Sequence, residues 1–202
     1  MPADTHHTAG VPYLPWLGSI LGDCYGIAMA YEIVPVVQTP SGPSVSDDQL
    51  RAIWNCLHRE GRVEMVFYAG GLTTVDQFLA FMRSPHIMPC IAVDAESRGP
   101  LIVGWLTNVH NKAAFAHYFV LGRPRWRAGW AMRDYWMGLR EPDGTPLLEV
   151  LIAITPETHT QGLRATGIMG FTTIGTIPRY CNCVYAGGRQ GGVISHYERR
   201  TG

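Results

Sequence analysis

Apolar residues in this chain recur at every second position, then at every third or fourth, then at every second again, and each change marks an element boundary. Residues 31–38 alternate and are β-branched, which predicts a first strand, and a Pro, Gly and Ser loop follows over 39–46. Behind Ser46, whose hydroxyl suits an N-cap, Leu50, Ile53, Trp54 and Leu57 repeat at helical spacing. An amphipathic helix ending near Gly61 is therefore expected. Residues 64–68 read as a short strand or an extended link. A second helix opens at Thr74-Val75-Asp76-Gln77, presents Phe78, Leu79, Phe81 and Met82 on its apolar face, and stops at Ser84-Pro85.

Residues 89–94 and 101–109 predict an antiparallel hairpin about the Glu96-Ser97-Arg98-Gly99 turn. Five more elements follow: a strand over 114–122, a helix over 130–139, a buried strand over 147–155, a helix over 158–167 and a strand over 172–178. A last strand, 193–199, closes the sheet after a glycine-rich loop over 187–192. The strand, helix, strand run from 114 to 155 is a crossover, which makes those two strands a parallel pair. Ahead of these elements lie a polar tail and a Pro- and Gly-interrupted apolar arm, together residues 1–30. The expected organisation is that arm followed by one domain over 31–202.

Composition narrows the function classes. A chain of 202 residues with 47% hydrophobic content can bury one sizeable core. Sixteen Lys and Arg balance sixteen Asp and Glu for a net charge of +0, which gives no electrostatic case for a nucleic-acid partner. The one basic cluster, Arg123, Arg125 and Arg127, suits a small polyphosphate. The apolar stretch 11–31 is broken by Pro12, Pro15 and Asp23 and lacks the start and cleavage site of a signal peptide. It also falls short of a membrane span, so a cytoplasmic protein with no membrane partner is expected. Five cysteines, an odd number, fit reduced thiols. Cys181-Asn182-Cys183 has no second ligand pair, and it reads as two loop thiols rather than as a metal site.

The chemistry concentrates at Trp126-Arg127-Ala128-Gly129-Trp130-Ala131, between a strand and a helix. There a glycine allows close backbone approach, and free N–H groups with the helix dipole can hold phosphate oxygens. Together with the Met169-Gly170-Phe171 ending of the later helix, this turn resembles the pyrophosphate loop of the GNAT superfamily of acyl-coenzyme A-dependent N-acyltransferases. The family pattern is Gln or Arg, two residues, Gly, one residue, then Gly or Ala. Gly129 and Ala131 match it, and Trp126 stands where Gln or Arg is usual.

The resemblance implies a mixed, mostly antiparallel α/β sheet flanked by helices, with a coenzyme A cleft between splayed fourth and fifth strands (114–122 and 147–155). It further implies acetyl-coenzyme A as cosubstrate, no metal, and a small-molecule or protein amine as acceptor. Cofactor contacts would come from Phe119, Val120 and Leu121, from Trp126 through Ala131 (Arg127, Ala128, Gly129 and Trp130 between them), and from His159, which stands at the family's Asn position. The family's Tyr, often the acid that protonates the leaving thiolate, is replaced by Thr166, so another Tyr must serve or the thiolate must leave unaided.

His117, Glu149 and Tyr118 are the candidate catalytic groups. His117 titrates in the range of a base, although a hydrogen-bonded core histidine explains it equally; a carboxylate within a strand, as Glu149 is expected to be, needs a polar cavity or a partner. His117 and Tyr118 are consecutive in a strand, so only one is expected to face the substrate. Two other readings stay open: a catalytically inactive module of the same fold, and an unrelated α/β assembly protein.

Trp16, Leu17, Ile20 and Leu21 are too apolar for water, so the arm is expected to cover the domain or a second copy of the chain, the latter as a homodimer. Removing residues 1–30 should cause aggregation or change the mass in solution. Light scattering and a melting curve that match the full chain would refute this.

Overall fold

In the computed structural model of the chain, residues 31–122 and 126–199 are described. The arm expected over 1–30, and Arg123 and Arg125 of the basic cluster, lie outside them. Two local signals set the first helices. Ser46 caps α1 (Asp47–Arg59) in a full capping box with Gln49, and Thr74 caps α3 (Val75–Met82) in the same way with Gln77. Between them, Val63–Val66 forms one helical turn, α2, where a strand or extended link was expected. Its cause is tertiary, because Val63 and Val66 pack against the core that α1 and α3 bury.

Seven strands form one sheet in the order β1-β4-β5-β6-β7-β9-β8. They are β1 (Tyr31–Pro35), β4 (Ile87–Asp94), β5 (Pro100–His110), β6 (Ala113–Val120), β7 (Val150–Pro156), β8 (Thr172–Cys183) and β9 (Gly188–Glu198). Of these pairings only β6 with β7 is parallel. The first strand stops at Pro35, and the chain then makes a small hairpin, β2 (Gln38–Thr39) with β3 (Gly42–Pro43), inside the segment expected to be a loop. The result is the mixed, mostly antiparallel α/β sheet flanked by helices that the resemblance implies.

Strand alternation divides the core between the two faces of the sheet. On one face α1 and α3 pack with Ile91, Val103, Trp105 and Phe119, joined by Phe67 from the segment after α2. On the other, α4 (Trp126–Gly138) lays Ala128, Met132 and Trp136 over Ala92, Ile102 and Leu106. The last helix, α5 (Thr160–Ile168), follows β7 on that second face, ending on the buried Met169 and Phe171.

The glycine-rich stretch 187–192 is not a loop. Gly187 alone makes the left-handed turn (φ 73°), and from Gly188 the chain is already β9, paired with β8 as far as Cys183. These glycines allow close approach: a Cβ on Gly191 would lie 2.6 Å from the Glu157 carboxylate. Cys181 and Cys183 are consequently buried strand residues rather than loop thiols.

The tightest approach is between α4 and β5. A Cβ on Gly104 would fall 2.5 Å from Met132 Sδ and 2.8 Å from the Trp136 ring, so the helix seats on that position only because it has no side chain. Gly104→Val should cost about 1–3 kcal/mol by overpacking. A denaturant midpoint equal to that of the parent chain would refute the seating.

Candidate active site

The site starts from a pairing that fails. β6 and β7 align over only three residue pairs, Ala113 with Val150, Ala114 with Leu151 and Phe115 with Ile152, and then part. Each is held on its outer side instead. β6 pairs with β5 up to Val120, and β7 pairs with β9 over its whole length. Between the parting strands lies a cavity of about 710 Å³. It opens to α2 on one face and to α5 on the other.

Strand geometry fixes which backbone groups point into it. Leu121 donates its N–H to the carbonyl of Leu101 at 2.8 Å, so by two-residue alternation Phe119 and His117 also turn their backbone groups toward β5. Tyr118 and Val120 turn theirs toward the cleft. The Val120 carbonyl accepts from Arg62 Nη1 at 2.7 Å, and the same nitrogen holds Glu60 Oε2 at 2.9 Å. Of the three expected backbone contacts, therefore, Val120 faces the cleft, and Phe119 and Leu121 do not, because their N–H groups belong to the β5 pairing.

His117 and Tyr118 both border the cavity, one from each face of the sheet. His117 stacks on Trp105 with ring centroids 5.4 Å apart and planes 9° from parallel, and Trp105 in turn stacks on Phe67. Its Nε2 lies 3.0 Å from Thr107 Oγ1. Burial among these rings pushes its pKa down to about 4, so it is a neutral imidazole at pH 7. Tyr118 reaches the opposite face, where its hydroxyl lies 3.2 Å from Thr166 Oγ1. Thr166 spends its own proton on the Gly162 carbonyl at 2.9 Å, so Tyr118 is the donor of the pair. Burial raises the Tyr118 pKa, and Tyr118 stays protonated. Both neighbours thus face the cleft, because the opening passes through the sheet.

At the phosphate end the helix begins earlier than expected. α4 starts at Trp126, so the predicted turn is its first turn and a half. The N–H groups of Trp130 and Ala131 are used within the helix, and those of Trp126, Arg127 and Ala128 are the ones without an intrahelical partner. Trp126 lines the cavity, and Arg127 is exposed. Gly129 is buried: a Cβ there would meet Met169 at 3.3 Å, so its smallness serves helix packing rather than a phosphate. Trp130 is 41% exposed, with its indole N–H on the Ile168 carbonyl at 2.8 Å. His159 precedes α5 at the cavity wall, its pKa lowered by burial and then by the charge of Arg62.

Glu149 stands apart. It precedes β7, is exposed, and pairs with Lys112 Nζ at 3.2 Å at the closed end of the β6–β7 pair. It is expected inside a strand, but the strand begins one residue later and the cleft lies at the other end. Arg62, Tyr68 and Thr107 are site residues without a sequence signal of their own. Arg62 and Tyr68 flank a helical turn that local propensity did not announce, and Thr107 is ten residues from its histidine.

No protein-family model matches the chain, and no curated protein matches it. Solved structures do. The ribosomal-protein-S5-alanine acetyltransferase of Vibrio fischeri superposes with a TM-score of 0.60 at 12% identity, covering 89% of this chain and 98% of that one. The spermidine N-acetyltransferase of Vibrio cholerae, solved with CoA and spermine, gives 0.62 at 12% identity, with 84% and 95% covered. An N-acetyltransferase from Staphylococcus aureus Mu50 gives 0.58 at 8% identity, with 83% and 97% covered. The chain has the fold of the GNAT acetyltransferases.

The buried neutral His117 has a consequence for stability. Its pKa is about 4 in the folded chain against 6.5 unfolded, so the unfolded state takes up a proton first on acidification. The contribution is fully present above pH 6.5 and is lost as pH falls toward 4, about 3 kcal/mol in all. His117→Gln should flatten unfolding free energy across that window. An unchanged slope between pH 6.5 and 4 would show that His117 is not buried as described.

Proposed function

We propose that this chain is an N-acyltransferase of the GNAT superfamily, moving an acetyl or short acyl group from acyl-coenzyme A to an amine. The observation that carries this is the parting of β6 from β7 around a cavity bordered by a neutral histidine on one face and a tyrosine on the other. The activity belongs to the domain over 31–202, with 1–30 as an accessory arm, and the cytoplasm is its place of action. The solved neighbour holding CoA supports a coenzyme A ligand here.

The cleft would take the pantetheine arm along the free edge of β6, with the pyrophosphate at the N–H groups of Trp126, Arg127 and Ala128 and His159 beside the arm. When bound, the cosubstrate supplies the activated thioester. The N–H groups of Tyr118 and Val120 face the cleft and are the donors available to the thioester carbonyl as it gains charge. The amine lone pair forms the new C–N bond. With Nε2–H donating to Thr107, His117 presents Nδ1, which takes the proton the amine sheds. As the C–S bond breaks, the sulfur keeps its electron pair and receives the Tyr118 proton. Tyr118 occupies the place of the acid that Thr166 lacks, since its hydroxyl lies against Thr166. Tyr118 then regains its proton from solvent and His117 gives the amine's proton up to solvent, which returns both groups to their neutral forms.

An inactive module of the same fold would bind coenzyme A without turnover, and Thr166 at the family's Tyr position is what favours that second reading.

Acetyl-coenzyme A should bind in a calorimetric titration and raise the melting temperature. With an accepted amine, His117→Ala should lower kcat by about 10²–10⁴, and Tyr118→Phe should also lower it. Glu149→Gln should leave it unchanged. A flat titration at millimolar acetyl-coenzyme A would overturn the proposal, and equal rates in the His117 variant would remove the base.

A further inference from the structure

The side of the cleft that opens toward α1 and α2 has a chemistry of its own. Its surface is made by Met65, Val66 and Tyr68, backed by Trp105, Phe119 and the imidazole of His117. Behind that surface stands an aromatic stack, Phe67 on Trp105 on His117, which ends at the cavity. Among the described residues that line the cavity there is a single carboxylate, Glu60. Both of its oxygens are taken: Oε2 by Arg62 at 2.9 Å, and Oε1 by the Cys56 thiol, which donates at 3.4 Å. Arg62 holds the Glu60 carboxyl below the ordinary carboxylate range. Beyond that ion pair the lining carries one further charge, the exposed Arg164 guanidinium on α5 across the cleft.

A polycation has nowhere to put its second and third charges in such a site. Each desolvated ammonium needs a carboxylate partner, and the single one in this lining is already paired with Arg62. An aromatic body meets the opposite situation, since an arylalkylamine can bury its ring against Met65, Val66 and Tyr68 and gain from sulfur and ring contacts. We infer that the acceptor is a primary amine on an aromatic, uncharged body, held by the Met65–Tyr68 segment with its nitrogen at His117. This rests on the acyltransferase reading. It is also a departure from the polyamine-binding neighbour of the same fold, whose crystals hold spermine.

The deciding experiment uses the full chain with acetyl-coenzyme A and follows release of the coenzyme A thiol. Phenethylamine and tryptamine are compared with spermidine and with a lysine-rich peptide, and acetyl-coenzyme A binding is measured separately by calorimetry. The aromatic amines should have kcat/KM at least tenfold above spermidine. Tyr68→Ser should lower kcat/KM for phenethylamine about tenfold through KM, while acetyl-coenzyme A affinity and the melting temperature hold. Met65→Ala serves as the second variant should Tyr68→Ser unfold.

If acetyl-coenzyme A binds and spermidine or the peptide is acetylated as well as the aromatic amines or better, the acceptor inference falls and the acyltransferase reading stands. If acetyl-coenzyme A does not bind, both fall. If it binds and no amine turns over, quenching of tryptophan fluorescence by phenethylamine in the coenzyme A complex decides. Saturable quenching by phenethylamine alone supports the inference, and its absence overturns it.

Discussion

The cavity at the centre of this molecule depends on β6 and β7 pairing for three residues and then separating. A sheet normally resists that, because each lost rung strands an N–H and a C=O where water is scarce. The separation is tolerable here because both strands are fully engaged on their outer sides, β6 by β5 and β7 by β9. Glu157 reinforces the second anchor, giving its backbone N–H to the Gly191 carbonyl and accepting the Gly191 N–H on its carboxylate. What remains exposed are the facing edges of β6 and β7, and on β6 the even-numbered residues turn their backbone groups into the gap. Arg62 answers one of them directly, at Val120.

A gap through a sheet differs from a pocket on one. Consecutive strand residues point to opposite faces, so on an ordinary strand His117 and Tyr118 could not serve one site. Because the opening passes through the sheet, each borders it from its own face. The imidazole lies among Trp105 and Thr107, and the phenol rests on Thr166 of α5. The two groups proposed as proton acceptor and proton donor thereby reach one cavity from opposite faces of the sheet. Burial acts on them in opposite directions, lowering the histidine pKa and raising that of the tyrosine. Each is therefore neutral at pH 7.

What the sequence disclosed follows the range of the interaction involved. The capping boxes at Ser46 and Thr74 act over three residues and were legible, as were the alternating strands and the crossover that makes β6 and β7 parallel. So was the fold class, through the turn and the Gly-Phe ending. Three misreadings were tertiary in origin. Residues 63–66 form a helical turn because the core of α1 and α3 receives their valines, Gly191 and Gly192 extend where Glu157 and Tyr180 of β8 crowd them, and α4 begins at Trp126 rather than Trp130. Gly129 illustrates the ambiguity well. A helix-initial glycine suits a phosphate or a neighbouring side chain equally in sequence, and only Met169, forty residues on, decides between them.

Arg62 shows how the gap balances rest against use. Its hydrogen bond to the Val120 carbonyl is charge-assisted, in a class worth about 1.5–3 kcal/mol. The carbonyl has a second lone pair, so a ligand amide running along β6 can share it without expelling the guanidinium. Glu60 is the other half of this arrangement: by holding the same Arg62 nitrogen, it keeps the guanidinium at the mouth of the cleft rather than in solvent. That one ion pair therefore satisfies an exposed strand edge, and it uses up the only carboxylate among the described residues that line the cavity. The rest of that wall is aromatic and aliphatic, so on the acceptor proposed above the demand of an unpaired backbone on β6 would reach into the choice of amine.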